Sequence, residues 1–286
     1  LHYWRKKSMT NINEQPLVSV CIPSYNNADY IDQTISCILN QTYKNLELVI
    51  CDDHSKDDTV EVIRKFDDPR IRLLINEKNL GMSGNWNHCL QQCKGEFIKL
   101  ICADDMIALD ALEKEVNALI AHPTALLAES DTQFRDLEGN TKGSYTRYKK
   151  SGLVSGKVIA RAGLFSRNLF GAPLNNTFRK SALDQVPGFD PQFKYILDYD
   201  FWVSIACLGD VYIIHEPLNY FRLRNDSNTG KVLTTEQKAY VEEHKMLLRK
   251  HASALHISSL DFALSVFIRK CLNLGSRIYL RLFIGK

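Results

Sequence analysis

The 286-residue chain lacks the glycine-rich loops with which several nucleotide-binding folds hold phosphate groups. No G-x-G-x-x-G motif follows a predicted strand, and residues 24–27 (Ser-Tyr-Asn-Asn), after the first strand, contain neither glycine nor lysine. A dinucleotide-dependent dehydrogenase needs that motif, and a sugar nucleotidyltransferase needs a basic, glycine-rich loop for its triphosphate. The sequence therefore argues against both classes of enzyme.

Long apolar runs and an excess of charge are absent as well. The apolar stretches fall short of the roughly 20 residues that a membrane-spanning helix needs. The formal net charge of +3 is too small to indicate nucleic acid as a partner, and we expect none. With 45% hydrophobic and 24% charged residues, the composition is that of an ordinary globular protein.

The eight cysteines include no C-x-x-C pair and form no ladder of short spacings. A secreted chain with this many cysteines would usually carry a disulfide framework, whereas cysteines scattered through apolar segments are typical of reduced thiols. Residues 1–10 are basic but no apolar run follows them, so we expect no signal peptide. These features favour a cytoplasmic protein.

Short apolar runs alternate with helical patterns through the first half of the chain. The predicted strands are residues 17–22, 46–51, 71–75 and 97–102, and the helices between and after them are residues 31–39, 59–66, 83–93 and 108–121. Strands that alternate with helices predict a parallel sheet with right-handed crossovers, which is a Rossmann-like α/β fold. Ligands of such sheets bind at the carboxyl ends of the strands.

Beyond residue 123 the alternation loosens. The pattern predicts strands at residues 126–134, 142–148 and 211–214, and helices at 154–167, 198–208, 234–252 and 258–274. The last of these helices runs into a basic, apolar end of the chain.

Polar residues follow three of the predicted strands. Residues 23–27 read Pro-Ser-Tyr-Asn-Asn, residues 51–58 read Cys-Asp-Asp-His-Ser-Lys-Asp-Asp, and residues 103–105 read Ala-Asp-Asp. Carboxylates at the ends of buried strands are unfavourable unless they are paired or bind a cation. Because the carboxyl ends of parallel strands meet at one edge of a sheet, we expect the three clusters to form one site.

These motifs and their order resemble family 2 glycosyltransferases of the GT-A fold. The matching segments, which span roughly residues 16–228, are residues 18–26, 39–43, 49–59, 76–81, 103–105, 188–190 and 198–200. The resemblance implies a GT-A type, mostly parallel sheet flanked by helices, with a C-terminal helical extension. It also implies an inverting transfer of a sugar from a nucleotide diphosphate sugar, with a UDP-sugar as the expected donor, to an acceptor hydroxyl.

The expected acceptor is a saccharide or a lipid-linked saccharide, in bacterial surface polysaccharide or glycolipid synthesis. The alternative is a catalytically inactive protein of the same fold that binds nucleotide sugars or serves as a scaffold. The presence of Asp53, Asp105 and Asp198 together favours the enzyme.

The resemblance also divides the chain into three parts. Residues 1–15 are an N-terminal extension, residues 16–230 the GT-A domain and residues 231–286 a helical tail. Within the domain, residues 16–122 are the nucleotide-binding half and residues 123–230 the acceptor-binding half.

Five residues in the first half are similar to the family's contacts with the donor base. Pro23, Tyr25 and Asn26 match the base-binding loop, where an aromatic ring stacks on the nucleobase. Asp52 and Asp53 match a pair of acids, of which Asp53 is the expected acceptor of a uracil-type imide N–H. Alternatively, Tyr25 packs under its loop, Pro23 only ends the strand and the acids favour a helix N-terminus.

Asp104 and Asp105 resemble the motif that holds a divalent cation, Mn²⁺ or Mg²⁺, on the donor pyrophosphate. The usual spelling is Asp-x-Asp, and Cys102 stands where many relatives have the first acid. We therefore expect Asp105 to bind the metal and Asp104 to lie near the ribose of the donor. The alternative is that the two acids cap the following helix.

Asp198 matches the family's catalytic base, which removes the proton of the attacking hydroxyl. Asp200 is either functional or a cap of its helix. Arg222 and Arg224 lie where relatives often carry an arginine and, two residues later, a histidine close to the metal or pyrophosphate. Here two arginines would contact the donor phosphates, unless the stretch is simply a solvated basic segment.

The tail from residue 258 interleaves apolar and basic residues, and Asp261 alone opposes their positive charge. A basic, apolar helix can lie in the interface of an anionic membrane, which predicts a peripheral contact at the inner face of the cell membrane. The alternative is that the helix packs on the domain with its basic side in water.

Overall fold

The computed structural model describes residues 15–146, 148–223 and 236–283, and for residues 275–283 the backbone alone. Within these ranges the strands are β1 (Val18–Ser24), β2 (Leu46–Asp52), β3 (Ile71–Ile75), β4 (Phe97–Leu100), β5 (Met106–Ile107), β6 (Ala125–Arg135), β7 (Thr141–Tyr145), β8 (Gly152–Ser155), β9 (Asn176–Arg179) and β10 (Asp210–Arg222). The helices are α1 (Ile31–Leu39), α2 (Thr59–Ile63), α3 (Gly81–Gln92), α4 (Ala111–Ala121), α5 (Gly156–Leu164), α6 (Leu197–Ala206), α7 (Gln237–Lys250) and α8 (Ser259–Phe283).

One sheet forms the centre of the molecule, with the strand order β3-β2-β1-β4-β9-β6-β10-β5; β7 pairs with β6 and β8 with β10. The strands β3, β2, β1 and β4 are mutually parallel, as the alternating pattern predicts. Strand β9 is antiparallel to both of its neighbours, and β6 and β10 again run in the direction of β4. The predicted α/β sheet flanked by helices is confirmed, with a parallel first half and a mixed second half.

The sheet buries apolar side chains on both faces, which is why its first strands read as continuous apolar runs. On one face Ile35 of α1 and Val116 of α4 pack against strand residues such as Ile22. On the other face helices α3, α5, α6 and α7 surround Trp202 and Leu247, which are both fully buried. Helix α7 therefore belongs to the same core as the sheet.

A buried ion pair joins the sheet to α4. Lys99 Nζ of β4 lies 2.6 Å from Glu115 Oε2, and both side chains are fully buried. The hydroxyls of Ser130 and Thr177 also donate to the Glu115 carboxylate, at 2.6 and 2.5 Å. Burial lowers the pKa of Lys99, and Glu115 opposes this effect. The charges are tolerated here because each has a partner.

The two tail helices pack on the domain over much of their length. Lys250 at the end of α7 and His251 just after it reach the buried carboxylate of Asp200, at 2.7 and 2.8 Å. Ser265 of α8 donates to the Leu164 carbonyl at 2.6 Å. Among the described residues no helix has both the length and the apolar content needed to cross a membrane. The structure thus agrees, for α7 and the first turns of α8, with the alternative in which the tail packs on the domain.

Candidate active site

A cavity of about 1010 Å³ lies at the carboxyl ends of β1, β2 and β4. Pro23, Tyr25, Asp53, Asp104, Asp105 and Asp198 are all on its wall. The three polar clusters that follow predicted strands thus meet at one edge of the sheet, together with the start of α6. Residues of α7 and α8 also line this cavity.

The loops after β1 and β2 support one another. Asn26 and His54 adopt left-handed backbone conformations, with φ of 53° and 63°, which are unfavourable for residues other than glycine. The Asn26 amide N–H donates to Ser55 Oγ at 2.9 Å, and the Lys56 amide N–H donates to Asn26 Oδ1 at 2.8 Å. Asn26 is not on the cavity wall, so its observed role is to hold the loop that presents Tyr25, which is 46% exposed.

Asp52 and Asp53 point to different surroundings although they are adjacent. Asp52 is fully buried and accepts hydrogen bonds from the Ser55 amide at 2.9 Å and from the hydroxyls of Ser24 and Ser55, at 3.2 and 2.5 Å. It does not line the cavity, whereas Asp53 does. In the structure Asp52 supports the two loops through Ser24 and Ser55, and its contact with the base stays a prediction.

The start of α3 fixes the carboxylate of Asp53. Its Oδ1 accepts from the Leu80 amide and from Asn76 Nδ2, both at 2.8 Å, and its Oδ2 accepts from the Gly81 amide at 3.0 Å. Gly81 has φ of 75°, a conformation that glycine adopts without strain. Asp53 is only 2% exposed, so its orientation is set before any ligand arrives.

Cys102, Asp104 and Asp105 form a compact group, which we call the acidic turn. Their Sγ and carboxylate oxygen atoms all lie within 4.8 Å of one another. Thr34 Oγ1 donates to the Asp105 carbonyl at 2.8 Å and fixes the turn. Oxygen ligands from the two carboxylates fit a hard divalent cation such as Mn²⁺ or Mg²⁺.

Asp198 faces the acidic turn from the first turn of α6. Burial raises the pKa of the Cys102 thiol well above its ordinary value, and the carboxylates of Asp105, Asp104 and Asp198 raise it further. All three carboxylates therefore lie within electrostatic range of one sulfur atom. Asp198 Oδ1 also accepts from the amide of Tyr199 at 2.8 Å.

Arg222 is close to the acidic turn but is not on the cavity wall, and its contact with the donor phosphates stays a prediction. It is 5% exposed, its Nε donates to the Asp104 carbonyl at 2.9 Å and its Nη2 donates to Gln33 Oε1 at 2.7 Å. Its amide N–H donates to Asp105 Oδ1 at 3.1 Å. Arg222 supports the turn from behind because its donors are directed to protein acceptors. Arg224 lies outside the described residues.

Asp200 and Glu243 connect α6 to the tail. Asp200 faces away from the cavity and binds Lys250 and His251, so its role is structural. The Glu243 carboxylate of α7 accepts three backbone N–H groups, from residues 194, 195 and 196, at 3.0, 2.9 and 3.1 Å. These amides directly precede α6, so Glu243 holds the segment that leads to Asp198.

Sequence reasoning missed the wall that the tail contributes. Tyr240 of α7 and Arg269, Leu272 and Asn273 of α8 line the cavity. The sequence shows an arginine four residues after Ser265 in a segment that mixes apolar and polar residues, and spacing alone does not show which face is buried.

Three comparisons with known proteins agree with this architecture. The sequence profile described as Glycosyl transferase family 2 matches residues 19–186. Chondroitin synthase from Escherichia coli is 26% identical over 278 residues, which cover 94% of this chain but only 38% of that longer protein.

Two solved structures have a similar fold. S. aureus TarS 1–349 in complex with UDP-GlcNAc superposes with a TM-score of 0.66 at 18% identity, covering 93% of this chain and 76% of that one. The mannosyltransferase PcManGT from Pyrobaculum calidifontis, in complex with GDP-Man and Mn²⁺, superposes with a TM-score of 0.57 at 16% identity, covering 96% and 90%.

Proposed function

Because the chain belongs to glycosyl transferase family 2 and has the GT-A fold, we propose that it transfers a sugar from a UDP-sugar to an acceptor hydroxyl with inversion at the anomeric carbon. The observation that carries this proposal is the presence of Asp53, the acidic turn and Asp198 on the wall of one cavity. They supply, in that order, an acceptor for the base, ligands for a cation and a base for the attacking hydroxyl.

Asp53 and Tyr25 bind the donor base in this proposal. Among the described residues, Oδ2 of Asp53 accepts one hydrogen bond, from Gly81, which leaves a lone pair for the imide N–H of uracil. The half-exposed ring of Tyr25 offers a face for stacking, and Pro23 lines the cavity beside it. The TarS structure contains a UDP-sugar, which supports this choice of donor.

The acidic turn is the site for a divalent cation, Mn²⁺ or Mg²⁺, with Asp105 as its principal ligand and Asp104 beside it. Such a cation neutralises the pyrophosphate and stabilises the leaving nucleotide. Arg222 contributes by fixing the Asp104 carbonyl and Asp105 Oδ1, so it orients the turn. The PcManGT structure contains Mn²⁺, in support of this assignment.

Asp198 is the proposed base. It accepts the proton of the acceptor hydroxyl as that oxygen attacks the anomeric carbon from the face opposite the nucleotide. Its place at the first turn of α6, within electrostatic range of the acidic turn, suits a group that acts close to the donor sugar. The similarity to chondroitin synthase supports a role in polysaccharide synthesis.

The test is nucleotide release from a panel of nucleotide sugars, with and without MnCl₂. Wild-type protein should release UDP from at least one UDP-sugar in a cation-dependent reaction. Asp198→Asn should keep UDP affinity and lose about 10²- to 10⁴-fold in turnover with acceptor, as expected for a missing general base. Asp184→Asn, at an exposed position, is the matched control. A panel without any release would favour the scaffold alternative, and an Asp198→Asn variant with more than a tenth of wild-type turnover would assign the base elsewhere.

The exposed face of α8 supports a peripheral contact with an anionic membrane. Leu260, Leu264, Phe267 and Leu274 are 78%, 47%, 63% and 57% exposed, and their spacing places them on one side of the helix beside Lys270. An apolar stripe that faces water favours burial in a lipid interface. Full-length protein should sediment with anionic liposomes at low salt, and Phe267→Ser combined with Leu260→Ser should abolish sedimentation without a loss of folding. Equal sedimentation of the double variant would contradict the contact.

A further inference from the structure

The buried side of α8 carries a cation, Arg269, that forms no ion pair with the residues that the structure describes. Arg269 is only 4% exposed and lines the cavity. Within the part of the chain that the structure describes, its Nε and Nη2 have no hydrogen-bond acceptor. A buried guanidinium in this condition is unfavourable unless a ligand supplies the missing acceptors.

Two neighbouring groups share this feature. The Tyr199 hydroxyl and Asn273 Nδ2 are buried on the same cavity wall and, among the described residues, also lack hydrogen-bond partners. Asn273 lies one helical turn after Arg269, so both project from the same face of α8. The ring of Tyr240 lies 5.5 Å from the guanidinium carbon of Arg269 and helps to hold it.

This polar wall lies on the side of the cavity where Asp198 is found. Tyr199 follows Asp198 directly in α6. Burial raises the pKa of Tyr240, Arg269 lowers it and Asp198 raises it, so the phenol is within electrostatic range of both charged groups. The carboxylate of Asp53 is held instead by Asn76, Leu80 and Gly81, at and just before the start of α3.

We propose that Arg269, with Asn273 and Tyr199, binds a phosphate group of the acceptor. The inference rests on the proposed function, because it assigns the ligand of the Asp198 side of the same cavity. The Nε and Nη2 atoms form one edge of the guanidinium, which matches two oxygens of a phosphate in a bidentate contact. With Asn273 Nδ2 and the Tyr199 hydroxyl, the wall offers four donor groups, enough to bind both non-bridging oxygens of a phosphodiester.

The outer face of α8 favours the same class of acceptor. Leu260 and Phe267 are exposed on the opposite side of the helix from Ser265 and Arg269, which are buried. A saccharide joined to a lipid through phosphate would meet the polar wall with its phosphate and would leave its chain at the apolar face. Helix α8 thus has exposed apolar side chains on one side and the buried polar residues Ser265 and Arg269 on the other, an arrangement that suits such a substrate.

The binding test uses inorganic phosphate, with the donor site first filled by saturating UDP and MgCl₂. Calorimetry should show phosphate binding to wild-type protein and at least tenfold weaker binding to both Arg269→Gln and Arg269→Lys. The lysine variant should also be weak because it keeps the positive charge but lacks the paired N–H donors of the guanidinium edge. Arg249→Gln is the matched control, because it removes the same charge from an exposed position on α7. Acetate should bind at least tenfold more weakly than phosphate.

Several results would overturn the inference. The inference is wrong if wild-type protein binds no phosphate under these conditions. Equal affinity for acetate and phosphate would refute the choice of phosphate as the ligand. Loss of UDP affinity in Arg269→Gln would place Arg269 at the donor instead. A wild-type protein that fails to bind UDP contradicts the proposed function separately, since phosphate can still be titrated without UDP.

A stability measurement distinguishes a ligand site from a structural arginine. Without phosphate, Arg269→Met should unfold at the same temperature as wild type or a higher one, because it removes an unpaired buried charge. Phosphate should raise the unfolding temperature of wild type and not of the variant. A lower unfolding temperature for Arg269→Met combined with an unchanged response to phosphate would show that the arginine serves the fold.

Discussion

Glu243 offers the sharpest test of how the tail supports the active site. Its carboxylate accepts the backbone N–H groups of Lys194, Tyr195 and Ile196, and the side chain is 8% exposed. These amides precede α6 and have no partner within that helix. Replacing Glu243 with alanine therefore leaves three donors without their acceptor, two to four residues before Asp198.

The expected loss of stability follows from the three hydrogen bonds that Glu243 accepts. A hydrogen bond to a charged acceptor contributes about 1.5–3 kcal/mol, and such contributions are not additive when the donors share one acceptor. Water can reach part of the site that alanine opens, so we expect a loss of about 3–5 kcal/mol in the free energy of unfolding. At roughly 2–3 °C per kcal/mol for a chain of this size, the unfolding temperature should fall by about 6–15 °C.

The matched control is the neighbouring residue. Glu242 is 65% exposed and, within the described part of the chain, forms an ion pair with Lys245 alone, so Glu242→Ala should change stability by less than about 1 kcal/mol. Urea unfolding measures both variants, and sugar transfer is measured at a temperature where each remains folded. Glu243→Ala should lose about tenfold in turnover while its affinity for UDP stays near wild type, because Asp53 is held by Asn76, Leu80 and Gly81 and not by α7. If the two variants behave alike, or if UDP affinity falls with turnover, Glu243 does not position α6 in the way described.

Three further substitutions test other parts of the structure. Asp105→Ala should abolish the increase in UDP affinity that MnCl₂ produces, as measured by calorimetry. Lys99→Met should lower the free energy of unfolding by about 3–5 kcal/mol in urea, and adding Glu115→Leu should recover much of it. Burial, followed by the charge of Arg269, lowers the pKa of His244 from 6.5 to about 3. The unfolded chain therefore binds the extra proton, and wild type should lose about 2 kcal/mol more than His244→Gln between pH 7 and pH 5.

The first half of the fold could be predicted because its strands are buried on both faces. Such strands read as short apolar runs, and β1, β2, β3 and β4 were all found within two residues of their observed bounds. Strands β5, β8 and β9 were missed because they contain two to four residues, and β9 begins with Asn-Thr. Strand β10 extends well beyond the predicted 211–214, through Pro217, where register shifts let the pairing continue.

The residues of the candidate site also fall into two groups, those that could be predicted from the sequence and those that could not. Asp53, Asp105 and Asp198 could be singled out because acids at strand ends or at a helix start have a local signature. The structural roles of Arg222 and Glu243 could not, because their partners lie far away in sequence, at residues 33 and 104 for Arg222 and at 194–196 for Glu243. A charged residue on a strand or helix looks the same in sequence whether it faces water, a ligand or a backbone amide.

The two faces of α8 determine how membrane contact can be studied. Removing the chain from residue 258 onward would delete the exposed leucines, but it would also delete Arg269 and Asn273 from the cavity wall and the Ser265 bond to α5. A truncated protein that lost activity would then show nothing about lipid. Substitutions on the outer face alone, at Leu260 and Phe267, leave the polar wall intact and separate the two properties. If the acceptor is a lipid phosphate, these outer substitutions should reduce transfer to a membrane-bound acceptor and spare transfer to a short-chain phosphate acceptor in solution, whereas Arg269→Gln should reduce both.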